Sequence, residues 1–96
     1  MTCKEFNKKY NKDNEFILSE EYVNDCFDMY ETEGFAETFQ SPYDEYRHHN
    51  GKKFKVVERC SENDGFDLES LPIWLIEFEG GKRIHALPEE ICLIER

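Results

Sequence analysis

Two runs of alternating apolar residues flank a Gly-Gly pair near the end of the chain, and this pattern constrains the fold more than any other sequence feature. Before the pair, Trp74, Ile76 and Phe78 fall on one face of an extended chain. After it, residues 82–87 resume the alternation. Glycine tolerates the positive φ that a two-residue type I′ turn requires. The pattern therefore predicts an antiparallel β-hairpin that turns at Gly80-Gly81.

The rest of the C-terminal half also has a period of two. Phe54 and Val56 alternate with lysines, which predicts a strand over residues 53–60. After a polar loop and the hairpin, a tight turn at residues 88–90 precedes a predicted last strand at residues 91–95. Residues 51–96 thus form a meander of about four short strands, similar in topology to an SH3-like small barrel. The side chains expected to face its core are Phe54, Val56, Trp74, Ile76, Phe78, Ile84, Ala86 and Ile91.

Residues 19–50 have a helical period instead. Ser19 is a suitable N-cap, and Gly34 stands where a C-terminal glycine is expected. A second short helix is predicted to begin at Ser41-Pro42 and to end near residue 50, and residues 1–15 are interpreted as a solvated arm. The predicted fold class is α+β, with residues 1–96 as a single domain. Its acidic helical segment, residues 19–50, precedes the β segment.

Acidic residues are concentrated in the first half of the chain. Residues 13–45 contain eleven carboxylates and no Lys or Arg, and the chain has a formal net charge of −10. Such a charge disfavours direct duplex binding and anionic membrane surfaces, which both need basic residues. The sequence also has neither a membrane-spanning run nor a signal peptide pattern. We therefore expect a cytoplasmic protein with a basic protein partner.

One face of the helix after Ser19 carries a row of carboxylates. These are Glu21, Asp25, Asp28 and Glu31. Carboxylates one helical turn apart are spaced by ~5.4 Å, which approximates the charge spacing of one nucleic-acid strand. The row is interpreted either as a solvated helix face or as a mimic of phosphates that occupies a basic groove, with electrostatic steering of the encounter.

An aromatic and acidic stretch follows the helix. Phe35, Phe39 and Tyr43 do not fit on one helix face, and Asp44 and Glu45 stand directly behind them. Aromatic side chains are enriched at interface hot spots. These residues are predicted either to pack between the helices and the sheet or to join the acidic row in contacting a partner.

The second half also resembles small domains attached to the large polyvalent proteins of phages and conjugative elements of gut Firmicutes. The residues that carry the resemblance are Asn50-Gly51-Lys52, Leu71-Pro72-Ile73-Trp74, Glu77-Phe78-Glu79 and Pro88-Glu89-Glu90-Ile91. They cover about half of the chain. The resemblance implies a mobile-element setting, in which small proteins frequently disarm host defences, and it implies no catalytic residues.

The sequence offers little for metal, cofactor or nucleophilic chemistry. The four cysteines lack a CxxC pair, and Cys26, Cys60 and Cys92 are interpreted as small buried hydrophobes. His48 and His49 diverge on a helix and are predicted to be exposed at its end. No phosphate loop opens a helix. We therefore expect no metal, no cofactor and no enzymatic activity.

The sequence thus predicts a non-enzymatic acidic binding protein from a mobile element. Its leading interpretation is an inhibitor of a host nucleic-acid-handling defence protein, of the anti-CRISPR kind, that occupies a basic nucleic-acid groove. One alternative is a protein-interaction or scaffolding module of a phage or conjugative-element assembly. A second alternative is a small RNA-binding barrel that uses Lys52, Lys53 and Lys55 with neighbouring aromatic rings.

Overall fold

The chain folds with its long helices before its sheet. The computed structural model describes residues 1–10 and 18–94. The helices are α1 (Cys3–Lys9), α2 (Glu20–Glu33) and α3 (Pro88–Ile91), and the strands are β1 (Phe54–Arg59), β2 (Trp74–Phe78) and β3 (Arg83–Ala86). Short 3₁₀ turns lie at Arg47–His49, Glu62–Asp64 and Leu68–Ser70. The predicted α+β class is confirmed.

Helix α2 begins and ends where the sequence predicts. The Ser19 hydroxyl accepts a hydrogen bond from the Tyr22 backbone N–H at 3.2 Å, which satisfies one of the donors left free at a helix start. Gly34 ends the helix with a φ of 107°, which favours glycine over any L-residue. The buried face of α2 consists of Val23, Cys26, Phe27, Met29 and Tyr30.

The three strands form one antiparallel sheet in the order β1-β2-β3. The predicted hairpin connects β2 to β3, and Gly80 and Gly81 both have positive φ. The predicted two-residue type I′ turn is wrong, because the Phe78 N–H donates to the Lys82 carbonyl and residues 79–81 form a three-residue loop. Alternate residues of β2 are buried, and Trp74 is fully enclosed. Its indole packs edge-on against Phe27 at 5.1 Å between ring centroids. All eight predicted core side chains lie in or against this core.

The predicted fourth strand does not form in residues 91–94, and Glu95 lies outside the described residues. Ile91 instead ends the one-turn helix α3 with a fully buried side chain. Pro88 occupies the first turn, where proline is favoured, and the Glu90 carboxylate accepts a bond from the Leu87 N–H at 2.8 Å. Within the described residues the sheet therefore has three strands and does not close into a barrel.

The prediction of a solvated arm is wrong for residues 1–10, and Lys12 lies outside the described residues. Thr2 and Glu5 form a capping box that starts α1. Phe6 is fully buried, and its ring packs against Tyr10 and Tyr22 at 4.8 and 5.6 Å between centroids. This aromatic contact is the reason why α1 docks on α2.

The second predicted helix is also wrong. Residues 41–46 form turns, and only Arg47–His49 makes a 3₁₀ turn. The Ser41 hydroxyl bonds a distant carboxylate and the nearby Tyr43 N–H, so Ser41 closes a turn rather than starting a helix. His49, which was expected to be exposed, is buried against Phe78.

Candidate functional site

The carboxylate row on α2 is largely neutralised within the chain. The Lys9 ammonium donates to Glu21 at 2.9 Å and to Asp25 at 2.8 Å. The α-amino group of Met1 donates to Asp28. Helix α1 thus places two cations beside three of the four carboxylates that were predicted to contact a partner.

The fourth carboxylate, Glu31, is bound by a buried indole and a guanidinium. Arg59 donates from Nε at 2.8 Å and from a terminal nitrogen at 2.6 Å, a bidentate geometry. The Nε1 of the fully buried Trp74 donates to the same carboxylate at 3.0 Å. The hydrogen bond from Arg59 is the main reason why the pKa of Glu31 is lowered. Glu31 therefore links α2 to the sheet.

Asp25, within the same row, has a similar structural role. Besides the bond from Lys9, it accepts one from the Tyr10 hydroxyl at 2.5 Å. These two hydrogen bonds lower the pKa of Asp25. Burial and the Asp25 carboxylate in turn raise the pKa of Tyr10 to about 12. Asp25 consequently fastens α1 to α2.

The two predicted phenylalanines belong to the core. Phe39 is fully buried and packs edge-on against Phe78 at 5.3 Å between ring centroids. Phe35 is partly buried and contacts Trp74 edge-on at 5.5 Å. The Phe39 ring is therefore not available for a hot spot on the surface, and the Phe35 ring is engaged by the core on one side.

Tyr43, Asp44 and Glu45 are exposed predicted contact residues, as are Glu21 and Asp28 of the row on α2. The Tyr43 side chain keeps 45% of its surface accessible. Its hydroxyl donates to the Glu89 carboxylate at 2.9 Å, and this bond raises the pKa of Tyr43. Among residues 1–10 and 18–94, Asp44 pairs with the exposed Arg47, at 3.2 Å. We call residues 42–45 together with Glu89 the acidic turn.

A buried polar network holds the acidic turn in place. The Ser41 hydroxyl donates to the Glu90 carboxylate at 2.5 Å and accepts from the Tyr43 N–H at 3.2 Å. The Asn50 side chain binds the backbone of Ser41 twice, at 2.7 and 3.2 Å. Glu90 is only 2% exposed, and both its oxygens accept hydrogen bonds. The network fixes both ends of the loop that carries the exposed groups.

Sequence reasoning missed Glu89 and Glu90 as parts of this surface. It assigned them to a tight turn, which agrees with their place in α3. Their partners Tyr43 and Ser41 lie 46 and 49 residues earlier in the chain. The only local signal was the acidic residue Glu90, two positions after Pro88 at the start of α3. Such a residue predicts a helix cap and not a contact with a distant loop.

The histidines and cysteines do not form a reactive site. In the described part of the chain, no three His, Cys, Asp or Glu side chains are placed to hold a metal ion. None of the four cysteines forms a disulfide in the described structure. Burial raises the pKa of Cys60 to about 11 and that of Cys92 to about 12, so both remain protonated thiols near neutral pH.

Comparisons with known proteins provide no further assignment. Models of protein families, curated protein sequences and solved structures contain no match to this chain. Among residues 1–10 and 18–94, no helix combines the length and the apolar character needed to span a bilayer.

Proposed function

We propose that this protein is a non-enzymatic inhibitor from a mobile element, and that its acidic turn binds the basic groove of a nucleic-acid-handling defence protein in the host cytoplasm. The observation that carries the proposal is the buried Ser41–Glu90 bond beneath exposed Tyr43, Asp44 and Glu45. The resemblance to polyvalent-protein domains supports the mobile-element setting.

The buried bond supports binding because it pre-organises the surface above it. Burial of a carboxylate is costly unless hydrogen bonds compensate, and here Ser41 and the Leu87 N–H supply them. A loop that is ordered before binding loses less conformational entropy when a partner arrives. Tyr43 then offers a rigid aromatic ring of the kind enriched at interface hot spots.

The net charge of −10 supports a basic partner. The summed field of an acidic protein accelerates its encounter with a positive surface. The α2 carboxylates contribute to that field, while Asp44 and Glu45 make the direct contacts. The exposed ion pair between Asp44 and Arg47 does not prevent Asp44 from binding a partner, because exposed pairs of this kind contribute little free energy and are easily broken.

The neutralised row on α2 favours a second candidate, an interaction module that does not mimic nucleic acid. A phosphate mimic needs a continuous line of free negative charge, and Lys9, Arg59 and the Met1 amine interrupt that line. In this case the acidic turn would bind a basic site that nucleic acid does not use. Competition with nucleic acid separates the two candidates.

The test compares two double charge reversals. Asp44→Lys/Glu45→Lys changes the acidic turn, and Glu62→Lys/Glu69→Lys makes the same change in net charge on the exposed loop between β1 and β2. Wild-type protein is first used to capture partners from a host lysate. Binding of each purified partner is then measured by biolayer interferometry at low and moderate salt.

We expect the turn variant to bind its partner at least about tenfold more weakly, and the affinity of the loop variant to change less than about threefold. Both variants reduce the negative electrostatic field of the protein, but only the turn variant also removes direct contacts with the partner. Excess nucleic acid should displace the wild-type protein. Equal loss in both variants would contradict the assigned surface. Loss confined to the turn variant without displacement by nucleic acid would favour the interaction module.

A further inference from the structure

A groove lies between the Arg47–His49 turn and the β2-β3 hairpin, and it shares Glu45 with the neighbouring acidic turn. The proposed function does not use the cationic side of this groove. Its volume is about 410 Å³. The lining side chains that bear on its chemistry are Tyr46, His48, His49, Lys82, Arg83 and His85. The size falls within the roughly 300–1,000 Å³ typical of small-molecule sites.

The groove carries one cation, Lys82, that the described part of the chain leaves without an ion pair. Lys82 makes no ion pair within residues 1–10 and 18–94, although acidic residues outnumber basic ones by 22 to 12 in the sequence. Neighbouring Lys52 is likewise without a carboxylate partner among those residues. Both ammonium groups are close enough to help lower the pKa of His49, after the larger effect of burial. Arg83 donates its Nε to Glu77 at 2.9 Å.

His49 supplies an independent sign of a ligand site. Its side chain is only 6% exposed, and its Nδ1 has no hydrogen-bond partner in the described structure. The ring is fixed by stacking on Phe78 at 4.6 Å and by contact with His48 at 3.9 Å between centroids. Buried polar atoms in native proteins nearly always have a partner. Because Nδ1 is enclosed, a bound group reaches it only when the His49 ring turns toward the groove, and the variant His49→Phe tests whether this nitrogen takes part.

We propose that this groove binds the phosphate group of a small ligand of nucleotide size. An ammonium and a guanidinium on one rim match the oxygens of a phosphate, because charge-assisted hydrogen bonds to phosphate are among the strongest in proteins. Tyr46 and the exposed His48 offer ring faces on which a base can stack. Glu45 also lines the groove and opposes a dianion, so the affinity is limited by this one carboxylate.

The binding test uses the full chain labelled with ¹⁵N and titrated at constant ionic strength. The probes are adenosine monophosphate, inorganic phosphate and adenosine. We expect saturable shifts of the amide signals of residues 46–49 and 82–85 with adenosine monophosphate, weaker binding of inorganic phosphate at the same signals, and no saturable shift with adenosine. Adenosine binding as strong as that of the monophosphate would overturn the phosphate assignment, as would the absence of saturation by any probe.

Matched variants test the residues. Lys82→Glu should weaken binding of the monophosphate at least about tenfold, whereas Lys4→Glu should change it less than about twofold. Lys4 is exposed on α1 and is also without an ion pair in the described residues, so the charge change is identical. Glu45→Gln should tighten binding, because it removes the opposing carboxylate. If Lys82→Glu and Lys4→Glu weaken binding equally, net charge alone explains the effect and the assignment of the site is wrong.

A final variant addresses the unpaired nitrogen. His49→Phe keeps an aromatic ring against Phe78 and removes Nδ1. We expect weaker binding of the monophosphate with an unchanged amide spectrum outside the groove. Wild-type affinity in this variant would overturn the assignment of His49 to the site.

Discussion

At the residue scale, Glu31 shows how one carboxylate can belong to the interior of a fold although it stands in an acidic row. Its two oxygens accept bonds from Arg59 and from the indole of Trp74. Arg59 also lies over the Phe27 ring at 5.1 Å, which restrains the guanidinium. Because the Trp74 N–H is enclosed, its partner cannot be replaced by water without a cost in stability.

We predict that Glu31→Ala lowers the free energy of unfolding by ~1–3 kcal/mol, the range for a buried donor left without a partner. Glu21→Ala makes the same change of residue on the same helix, but the Glu21 side chain is 73% exposed, so its effect should stay within ~0.5 kcal/mol. Urea denaturation followed by Trp fluorescence measures both. Equal effects would show that the Glu31 contacts contribute nothing specific.

At the element scale, the elements that the sequence predicts correctly are those set by neighbouring residues. The Ser19 cap, the Gly34 terminus and the hairpin at Gly80-Gly81 each depend on chemistry within about four residues. The elements that it predicts wrongly depend on distant partners. Ser41 starts no helix because its hydroxyl bonds Glu90, 49 residues later, and the exposed row on α2 is neutralised by α1 and by β1.

The same reasoning explains the candidate site. The pattern of aromatic rings that do not fit one helix face, followed by two acids, identifies Tyr43, Asp44 and Glu45, and they are exposed. The same pattern includes Phe39, yet its ring fills the core next to Phe78. Sequence spacing showed that these aromatic rings do not fit one helix face, but only the packing of the sheet decides which of them is enclosed.

Helix α1 provides the prediction that belongs to this scale. Phe6→Ala should lower the free energy of unfolding by ~3–5 kcal/mol, because it deletes a fully buried aromatic side chain. Lys8→Ala, on the exposed side of the same helix, should stay within ~0.5 kcal/mol. Urea denaturation of the two variants provides the comparison. A near-neutral Phe6→Ala would mean that α1 is not docked in solution.

At the scale of the whole molecule, charge is distributed unevenly. Carboxylates dominate the chain, yet Lys52, Lys53 and Lys82 are without ion pairs within the described residues, near the end where the hairpin turns. Many of the ion pairs that do form join two different elements. Lys9 of α1 pairs with α2, and Arg59 of β1 pairs with Glu31 of α2. The ion pairs therefore connect α1, α2 and the sheet, while the unpaired charges of both signs remain available for partners.

The pH dependence of stability follows from these pairs. Hydrogen bonds from Arg59 lower the pKa of Glu31, and those from Lys9 and Tyr10 lower the pKa of Asp25. A carboxyl whose pKa is lower in the folded state adds stability above its unfolded pKa and loses it as the pH falls through the folded pKa. The melting temperature should therefore fall as the pH drops below about 4.5.

A matched variant tests the assignment. Glu31→Gln removes one of these titrating groups while retaining an acceptor for Trp74, so its melting temperature should depend less on pH between about 5 and 3 than that of the wild type. An unchanged slope in Glu31→Gln would mean that this pair does not contribute to acid sensitivity.

The anchoring of Ser41 has a consequence for how such a protein can evolve. The side chain of Asn50 and the carboxylate of Glu90 hold the loop at its ends and make no use of the side chains of Asp44 and Glu45. Mutations at those two positions can therefore accumulate without loss of the fold. If the acidic turn is the recognition surface that we propose, a lineage under pressure from a changing target can exchange these residues on an unaltered framework, much as antibody loops diversify on a conserved sandwich.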